Sequence, residues 1–310
     1  MDSDRYSIHF SPLQGYTDRI YRNAFAHYFG GVEVYYTPFI RVEKGALRKR
    51  DIEPETNTVA DLIPQILPGS ADEFRLLTDA VGEKGYRQID INLGCPFPMI
   101  AGKHKGAGML LYPAQVAEVL APIAEYPEIQ FSLKMRLGWE NASECMVLVE
   151  LLNTLRLSRI ALHARTGKQQ YKGHPDLEAF QGFYELCQHP LYYNGGIESL
   201  SDIRQILIRF PLLKGVFIGR GLLSSPLLAK EFKGNETFLP EQRMSIYFAF
   251  HEELFSAYSQ VLQGETQLLV KMKTLWEYFL PETDRKLLKR IKKSTRLQQY
   301  TESVKAIFTS

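Results

Sequence analysis

The residue best suited to chemistry in this sequence is Cys95, which stands where an apolar strand is predicted to end. Within residues 88–93, Ile89 and Ile91 are apolar and β-branched, and Gly94 and Pro96 then flank the cysteine. Strand propensity stops there because proline lacks an amide hydrogen and glycine lacks a side chain. The next loop carries three glycines and three cations: Gly102, Gly106, Gly108, Lys103, His104 and Lys105. A thiol presented beside a mobile, cationic loop indicates chemistry on an anionic substrate; a buried structural cysteine beside a turn is the alternative.

Polar side chains also stand near the ends of other predicted strands. The interior of a parallel strand should be apolar because helices cover both faces of the sheet. A buried polar group costs free energy unless it finds a partner. One large polar ligand would provide partners for all these groups, although each alone could be a hydrogen-bonded core residue. The set comprises Gln65, Asn92, Cys95, Lys134, Arg136, His163, Arg165, Asn194 and Arg220.

Two glycine turns are suited to hold a phosphate. Gly195 and Gly196 follow Asn194 at the end of one predicted strand, and Gly219 precedes Arg220 at the end of the next. Small residues let backbone amides approach a phosphate, and arginine adds a charged fork of donors. Ordinary turns also use glycine. The two turns together with the arginine favour a phosphate site.

Lys134 has two chemical interpretations. Beside a flavin, a lysine can neutralise negative charge on the reduced ring. At a strand end it could instead form a Schiff base with a carbonyl substrate, as in an aldolase. The neighbouring set of Gln65, Asn92 and Cys95 favours the flavin, because an aldolase has no evident use for a proton-donating thiol there.

Eight short apolar runs, mostly separated by amphipathic helical segments, must position these residues. Such alternation predicts a parallel sheet. Eight units predict a (β/α)8 barrel, whose working face and phosphate site lie at the carboxyl ends of its strands. A doubly wound open sheet would want GxGxxG after the first strand, where residues 11–15 read SPLQG. The predicted strands are residues 8–13, 33–40, 62–67, 88–93, 129–135, 159–164, 191–194 and 215–218.

The chain changes character at about residue 240, beyond which only helices are predicted. We expect a catalytic barrel over residues 1–235 and a helical domain over residues 236–310. The predicted helices of this second domain are residues 243–262, 266–280 and 284–299. The last region holds seven cations in twelve residues: Arg285, Lys286, Lys289, Arg290, Lys292, Lys293 and Arg296. This density favours a stripe that binds a nucleic-acid backbone over a solvated helix face.

The composition is that of an ordinary globular protein, with 45% hydrophobic and 23% charged residues in a chain of 310. Its formal charge of +2 decides nothing about nucleic acid. Three widely spaced cysteines predict a reducing cytoplasm without disulfides or zinc. No stretch approaches the ~18 apolar residues of a membrane helix. The histidines lack metal-ligand spacing. We therefore expect no membrane, no metal and a monomer.

The motifs at these strand ends resemble those of the tRNA-dihydrouridine synthase family, flavin enzymes that reduce uridine in RNA. The resemblance covers nearly all of the barrel, and the NxGCP and HART elements occur in the family's order. The blocks that carry it are residues 11–18, 64–66, 90–96, 106–111, 134–136, 163–166, 171–173, 194–197 and 218–221. The sequence departs from the family pattern at Leu13, usually methionine, at Gly167, often arginine, and at Gly196, often aspartate. These departures leave the subfamily open.

The resemblance implies that FMN is the cofactor and NADPH the reductant. The flavin ring would lie against Pro12, Leu13 and Gln14. Its polar edge would bind Gln65 and Lys134, with His163 nearby. Its phosphate would be held by Asn194, Gly195, Gly196, Gly219 and Arg220. Asn92 and Arg165 would orient the uracil.

The implied reaction delivers a hydride to carbon-6 of uracil and a proton to carbon-5. Cys95 would give the proton, because a thiol with a pKa of about 8.5 stays protonated at neutral pH. The uracil must first leave its stack. Lys103 and Lys105, together with Lys289, Arg290 and Lys293, would bind the tRNA backbone.

Two other classes of protein remain as alternatives. One is another flavin barrel, similar to dihydroorotate dehydrogenase or an ene-reductase, that acts on a small molecule. The other is an RNA-binding protein that has kept the barrel without catalysis. The basic helical region disfavours the first alternative, and Cys95 with the flavin set disfavours the second.

Overall fold

The computed structural model describes residues 3–43, 46–47, 53 and 56–309. The chain divides into two compact units. The first contains Met1–Pro12, Glu33–Ile197 and Ser201–Ile218, and the second contains Leu13–Val32, Glu198–Leu200 and Gly219–Ser310. The domain boundary expected near residue 236 stays a prediction.

The first unit is built around a parallel sheet that closes on itself, which confirms the predicted (β/α)8 barrel. The strands of the described chain are β1 (Ser7–Phe10), β2 (Val34–Tyr36), β3 (Val42–Glu43), β4 (Ala46–Leu47), β5 (Leu62–Ile63), β6 (Gln65–Ile66), β7 (Gln88–Leu93), β8 (Gln130–Gly138), β9 (Leu157–Thr166), β10 (Leu191–Asn194) and β11 (Gly215–Ile218). The order in the barrel sheet is β5-β2-β1-β11-β10-β9-β8-β7-β6, and β5 and β6 are the two halves of one strand position, joined through Pro64. The short β3 and β4 form a separate antiparallel pair.

Prolines explain two differences from the predicted strands. The strand expected over residues 62–67 is interrupted at Pro64, so that β5 pairs with β2 and β6 pairs with β7. The strand expected over residues 33–40 stops at Tyr36, shortly before Pro38. In both places proline removes a ladder donor. Neither interruption opens the barrel.

Helices follow most of the strands, as the alternation predicts. Asp176 and Ser70 cap two of them, because each side chain accepts a hydrogen bond from a first-turn amide. The helices are α1 (Arg19–Tyr28), α2 (Ala71–Gly82), α3 (Pro98–Ala101), α4 (Pro113–Leu120), α5 (Glu144–Thr154), α6 (Leu177–Leu186), α7 (Leu200–Arg209), α8 (Arg220–Ser224), α9 (Leu228–Gly234), α10 (Pro240–Val261), α11 (Gly264–Leu275), α12 (Arg285–Lys293) and α13 (Leu297–Phe308).

The interior of the barrel is apolar in one layer and polar in another. Tyr36, Ile63, Ala161 and Phe217 pack together as a buried cluster. Side chains alternate along a strand, so every second residue of β7, β8 and β9 points to the same face. This alternation aligns polar residues of adjacent strands toward the carboxyl end, where the candidate site lies.

The second unit is helical and has an aromatic core. Phe250 on α10 packs against Phe29, with ring centroids 4.8 Å apart. The hydroxyl of Tyr300 accepts from the Trp276 indole at 2.9 Å and lies 2.7 Å from Nε2 of His251. Within the described residues, no helix combines the length and apolar character needed to cross a membrane.

The helix predicted over residues 284–299 is in fact two helices. α12 ends at Lys293, and α13 begins at Leu297. Ser294 ends α12, because its hydroxyl donates to the carbonyl of Ile291 at 2.6 Å. A serine that hydrogen-bonds the local backbone competes with helix continuation.

Candidate active site

Cys95 lies directly after β7, and the turn that presents it is held by Asn92. The side-chain oxygen of Asn92 accepts from the amides of Gly94 and Cys95, at 2.9 Å each. Such a local side-chain bond gives the backbone an alternative to the strand ladder. The strand therefore ends in a defined turn rather than in a loose loop.

The segment after Cys95 differs from the mobile loop that the sequence predicted. It contains α3 and a 3-10 helix over Gly106–Leu111, in which Gly106, Met109 and Leu110 are buried. The amide of Ala107 donates to the carbonyl of Cys95 at 3.0 Å. Apolar residues between the glycines allow this segment to pack, so that it supports the cysteine directly.

A buried chain of hydrogen bonds runs from Asn92 back into the barrel. The Asn92 side-chain amide donates to Oε1 of Gln65 at 2.7 Å, and Nε2 of Gln65 donates to Oδ2 of Asp90 at 2.7 Å. The hydroxyl of Ser132 donates to the other carboxylate oxygen of Asp90 at 2.6 Å. Gln65 and Asp90 are fully buried. The structure thus brings the predicted Gln65 and Asn92 into direct contact, and it adds Asp90, a carboxylate for which the sequence indicated no role.

Lys134 lies on β8 beside Asn92 in the strand register. Its ammonium donates to Oδ1 of Asn194 at 3.0 Å, and the Asn194 amide donates to the carbonyl of Phe217 at 2.7 Å. Burial, together with the charge of Arg136, lowers the pKa of Lys134 to about 8, against the opposing charges of Asp90 and Cys95. A half-buried cation of this kind is well placed to meet negative charge on a bound group.

Burial raises the pKa of the Cys95 thiol, against a backbone hydrogen bond at Phe97 and the positive charges of Arg136, Arg41 and Lys134. Desolvation disfavours the thiolate, which is the charged form. Cys95 is thus kept protonated around neutral pH. It is suited to donate a proton rather than to attack as a nucleophile.

Arg136 joins the cysteine turn to the segment after β9. Its Nε donates to the carbonyl of Gly94 at 2.9 Å, and one terminal nitrogen donates to the carbonyls of Thr166 and Gln170 at 2.8 Å each. The guanidinium also lies 5.5 Å from the ring centroid of Tyr171. Arg136 is buried. Arg136 therefore connects the Cys95 turn to the segment after β9.

His163 and Arg165 lie on the same face of β9, and both are buried. A terminal nitrogen of Arg165 lies 3.3 Å from Nε2 of His163. Arginine has only donors, so this imidazole nitrogen accepts. Arg165 also donates to the carbonyl of Gly173 at 3.0 Å. The register places His163 beside Asn194 of β10.

Gly195 and Gly196 form a cradle after β10. Their φ angles are +132° and +63°, a region that side chains disfavour. A Cβ on Gly195 would lie 3.0 Å from the His163 ring, and one on Gly196 would lie 3.0 Å from Pro175. The chain thus needs glycine at both positions, and an anion could approach the backbone closely there.

The remaining predicted site residues differ in their exposure and in the unit to which they belong. Pro12 and Leu13 are half-buried after β1, and Gln14 is exposed. Leu13, Gln14, Gly219 and Arg220 belong to the second unit. Lys103 is exposed, whereas Lys105 forms an ion pair with Glu73 at 2.6 Å.

The cations of α12 and of the turn after it form an exposed surface in the second unit. All seven are exposed, and none forms an ion pair within the described residues. A cavity of about 420 Å³ is lined by Lys286, Lys289, Arg290, Lys293, Ser294, Gln299, Glu302 and Ser303. Predicted Lys289, Arg290 and Lys293 therefore share one surface.

Asp90 and Ser132 were the residues without a predicted role that the structure brings into the site. The sequence contained a signal for Asp90, because Asp90 and Asn92 lie two residues apart on one strand and must share its inward face.

Among the described residues, no group of three or more histidine, cysteine or acidic side chains could hold a metal ion.

Sequence comparison relates the chain to enzymes of RNA modification. A family model described as dihydrouridine synthase matches residues 9–309. A tRNA-dihydrouridine synthase B of Pasteurella multocida is 27% identical over 71% of this chain and 67% of its own length. A probable tRNA-dihydrouridine synthase 2 of Bacillus subtilis is 24% identical over 78% of this chain and 77% of its own length.

Comparison with solved structures concerns the fold alone. A morphinone reductase matches with a TM-score of 0.54 at 10% identity, over 77% of this chain and 88% of its own. A variant of NCR from Zymomonas mobilis matches with a TM-score of 0.51 at 14% identity, over 77% of this chain and 90% of its own. Both support the barrel. Because the family model spans nearly the whole chain, the chain belongs to the dihydrouridine synthase family, as a flavin-dependent oxidoreductase that converts uridine to dihydrouridine.

Proposed function

We propose that the protein reduces uridine to 5,6-dihydrouridine in tRNA, with FMN as the flavin, NADPH as the reductant and Cys95 as the proton donor to carbon-5. The observation that carries this proposal is the position of Cys95. Its backbone is bonded to Asn92, and Asn92 is bonded to Gln65. Both amides and the thiol thus belong to one connected group at the carboxyl end of the barrel, where such barrels act.

The residues present fit FMN. Lys134 offers a half-buried ammonium. Gln65 uses one N–H for Asp90 and has a second N–H that meets no partner among the described residues. The Gly195–Gly196 cradle is suited to a phosphate, and we assign Asn194 to the same phosphate. When bound and reduced by NADPH, FMN supplies the hydride for carbon-6 of uracil.

Cys95 is the residue of the chain that supplies the proton for the reduction. Its raised pKa keeps the proton on the sulfur until negative charge develops at carbon-5 of the uracil. The S–H bond then breaks and a C–H bond forms, so one hydride and one proton saturate the double bond. We assign Asn92 and Arg165 to the uracil carbonyls, because both side chains can donate hydrogen bonds there.

The RNA must deliver its base out of the stack. We assign its backbone to the exposed Lys103 and to the α12 cations, among them Lys289, Arg290 and Lys293. Lys105 would have to exchange Glu73 for phosphate before it could contribute. A flavin barrel for a small molecule has no use for seven exposed, unpaired cations, and this favours RNA as the substrate.

The cellular setting follows from the same proposal. The three cysteines are free thiols, which suits a reducing cytoplasm. We propose that the enzyme works there, as a monomer.

The test is direct. Purified protein should be yellow and should bleach with NADPH, and RNA from cells without the protein should lack dihydrouridine at the affected position. A wild-type gene should restore the modification, and a Cys95→Ala gene should not. Protein that is colourless and cannot be reconstituted with FMN would overturn the proposal.

A further inference from the structure

The hydrogen bonds from Cys95 to Asp90 all point in one direction. Backbone amides can only donate, so the two amides of the cysteine turn require the oxygen of Asn92 to face them. The amide nitrogen of Asn92 must then face Gln65. Gln65 receives this bond on its oxygen and donates from its nitrogen to Asp90. The donors thus run head to tail from the cysteine turn to the carboxylate.

Asp90 is the acceptor on which this chain ends. Both carboxylate oxygens accept, one from Gln65 at 2.7 Å and the other from Ser132 at 2.6 Å. Burial raises the pKa of the Asp90 carboxyl, against the hydrogen bonds from Ser132 and Gln65 and the charges of Lys134 and Arg159. The ionised carboxylate has no donor, so it allows only one orientation of the Gln65 amide. Charged acceptors also form stronger hydrogen bonds than neutral ones, and neighbouring bonds polarise one another.

The orientation decides what the two amides can offer to a ligand. The side-chain NH2 groups of Gln65 and Asn92 each donate one hydrogen to the next group in this series of hydrogen bonds. The second hydrogen of each NH2 group meets no partner among the described residues. Were Gln65 reversed, its oxygen would face Asp90 and its nitrogen would face the Asn92 amide, which is two repulsive contacts. Asp90 therefore excludes the reversed state.

We propose that Asp90 is a positioning residue, whose carboxylate fixes Gln65 from one side while the amides of the cysteine turn fix Asn92 from the other, so that each keeps an N–H donor for carbonyl oxygens of the flavin and the uracil. Asp90 touches neither ligand in this scheme and acts only through Gln65. The inference rests on the proposed function, because that function supplies the carbonyl-bearing ligands.

The experiment is a double-mutant cycle on FMN binding to the apoprotein. Asp90→Asn keeps the shape of the side chain but lets an amide face Gln65. It should weaken FMN affinity about tenfold, as expected for the loss of a hydrogen bond to a charged group. In a Gln65→Met background, Asp90→Asn should weaken FMN affinity by less than about twofold, because the side chain through which Asp90 acts has been removed. Asp79→Asn, at an exposed carboxylate that also accepts a hydrogen bond, is the matched control.

A purely structural role for Asp90 predicts equal losses of affinity in both backgrounds, and this result would overturn the proposal. So would unchanged affinity of Asp90→Asn. If that variant does not fold, Asp90→Ser takes its place in the same cycle, with the same expected and contradicting results. Wild-type apoprotein that binds no FMN would instead refute the proposed function itself.

Discussion

Gly106 lies against Cys95 so closely that no side chain fits between them. A Cβ on Gly106 would lie 2.8 Å from the carbonyl oxygen and 2.9 Å from the Cβ of Cys95. The φ angle of Gly106 is +56°, which also favours glycine. The glycine of the 3-10 helix therefore fixes how the thiol-bearing turn is packed.

Gly106→Ala should displace Cys95 and reduce the rate of RNA reduction at least tenfold, since small misplacements of a reacting group cost large factors in rate. Reduction of the flavin by NADPH should not change. The two half-reactions can be measured separately by stopped-flow absorbance. Gly85→Ala is the matched control, because Gly85 also has a positive φ of +88° but would meet nothing within 4 Å. Equal effects of the two variants would show that backbone strain, rather than contact with Cys95, is responsible.

Cys95→Ala should reduce uridine reduction by roughly 10²–10⁴-fold, the usual contribution of a general acid. Because the pKa of Cys95 is raised, wild-type turnover should be level around neutral pH and fall only at alkaline pH, as the thiol loses its proton. The variant should lose this alkaline limb. Cys187→Ala, at a half-buried thiol after α6, serves as the control. An alkaline limb that persists in Cys95→Ala would assign it to another group.

Neutralising Lys289, Arg290 and Lys293 together should weaken tRNA binding and flatten its salt dependence. Each lost phosphate contact removes roughly 0.7–0.9 from the slope of log K against log salt concentration, so the triple variant should lose about 2. FMN content should stay the same. The matched triple is Arg87, Arg156 and Lys214 to Ala, three exposed cations that precede β7, β9 and β11. Equal losses in both triples would indicate a general charge effect.

Lys134 should make the stability of the apoprotein depend on pH in a specific window. Its folded pKa of about 8 lies below the ordinary 10.5, so the unfolded chain binds more protons between these values. The free energy of unfolding therefore gains from this group as pH rises from about 8 to 10.5, and the cost of burying the charge is fully present below pH 8.

Lys134→Met should remove that contribution, which urea unfolding at several pH values can measure as a difference from wild type. The exposed Lys214→Met should leave the slope as it is. If the wild type and Lys134→Met differ by a constant amount across the window, Lys134 does not titrate there.

Local chemistry allowed much of the fold to be read from the sequence. The alternation of strands and helices predicted the closed barrel, but continuous strands were expected over residues 33–40 and 62–67, and Pro38 and Pro64, which lack a ladder donor, interrupt them. Closure depends on pairing with β2 on one side and β7 on the other. The single helix predicted over residues 284–299 failed for a related reason: helix periodicity continues through Ser294, and the bond to Ile291 ends it.

The sequence by itself determined the order of strands, the thiol at the end of β7 and the type of polar residue at each strand end, because these follow from neighbours along the chain. Only the tertiary structure decided which of them meet. Gln65, Asp90 and Ser132 come from three strands, and their contacts exist only once parallel register sets them side by side. The same holds for Lys105, which the sequence offers as a free cation and which the fold pairs with Glu73. Hydrogen bonds and ion pairs between distant segments form only where the fold brings the two groups within contact distance. The closed barrel, rather than the order of residues along the chain, decides which groups these are.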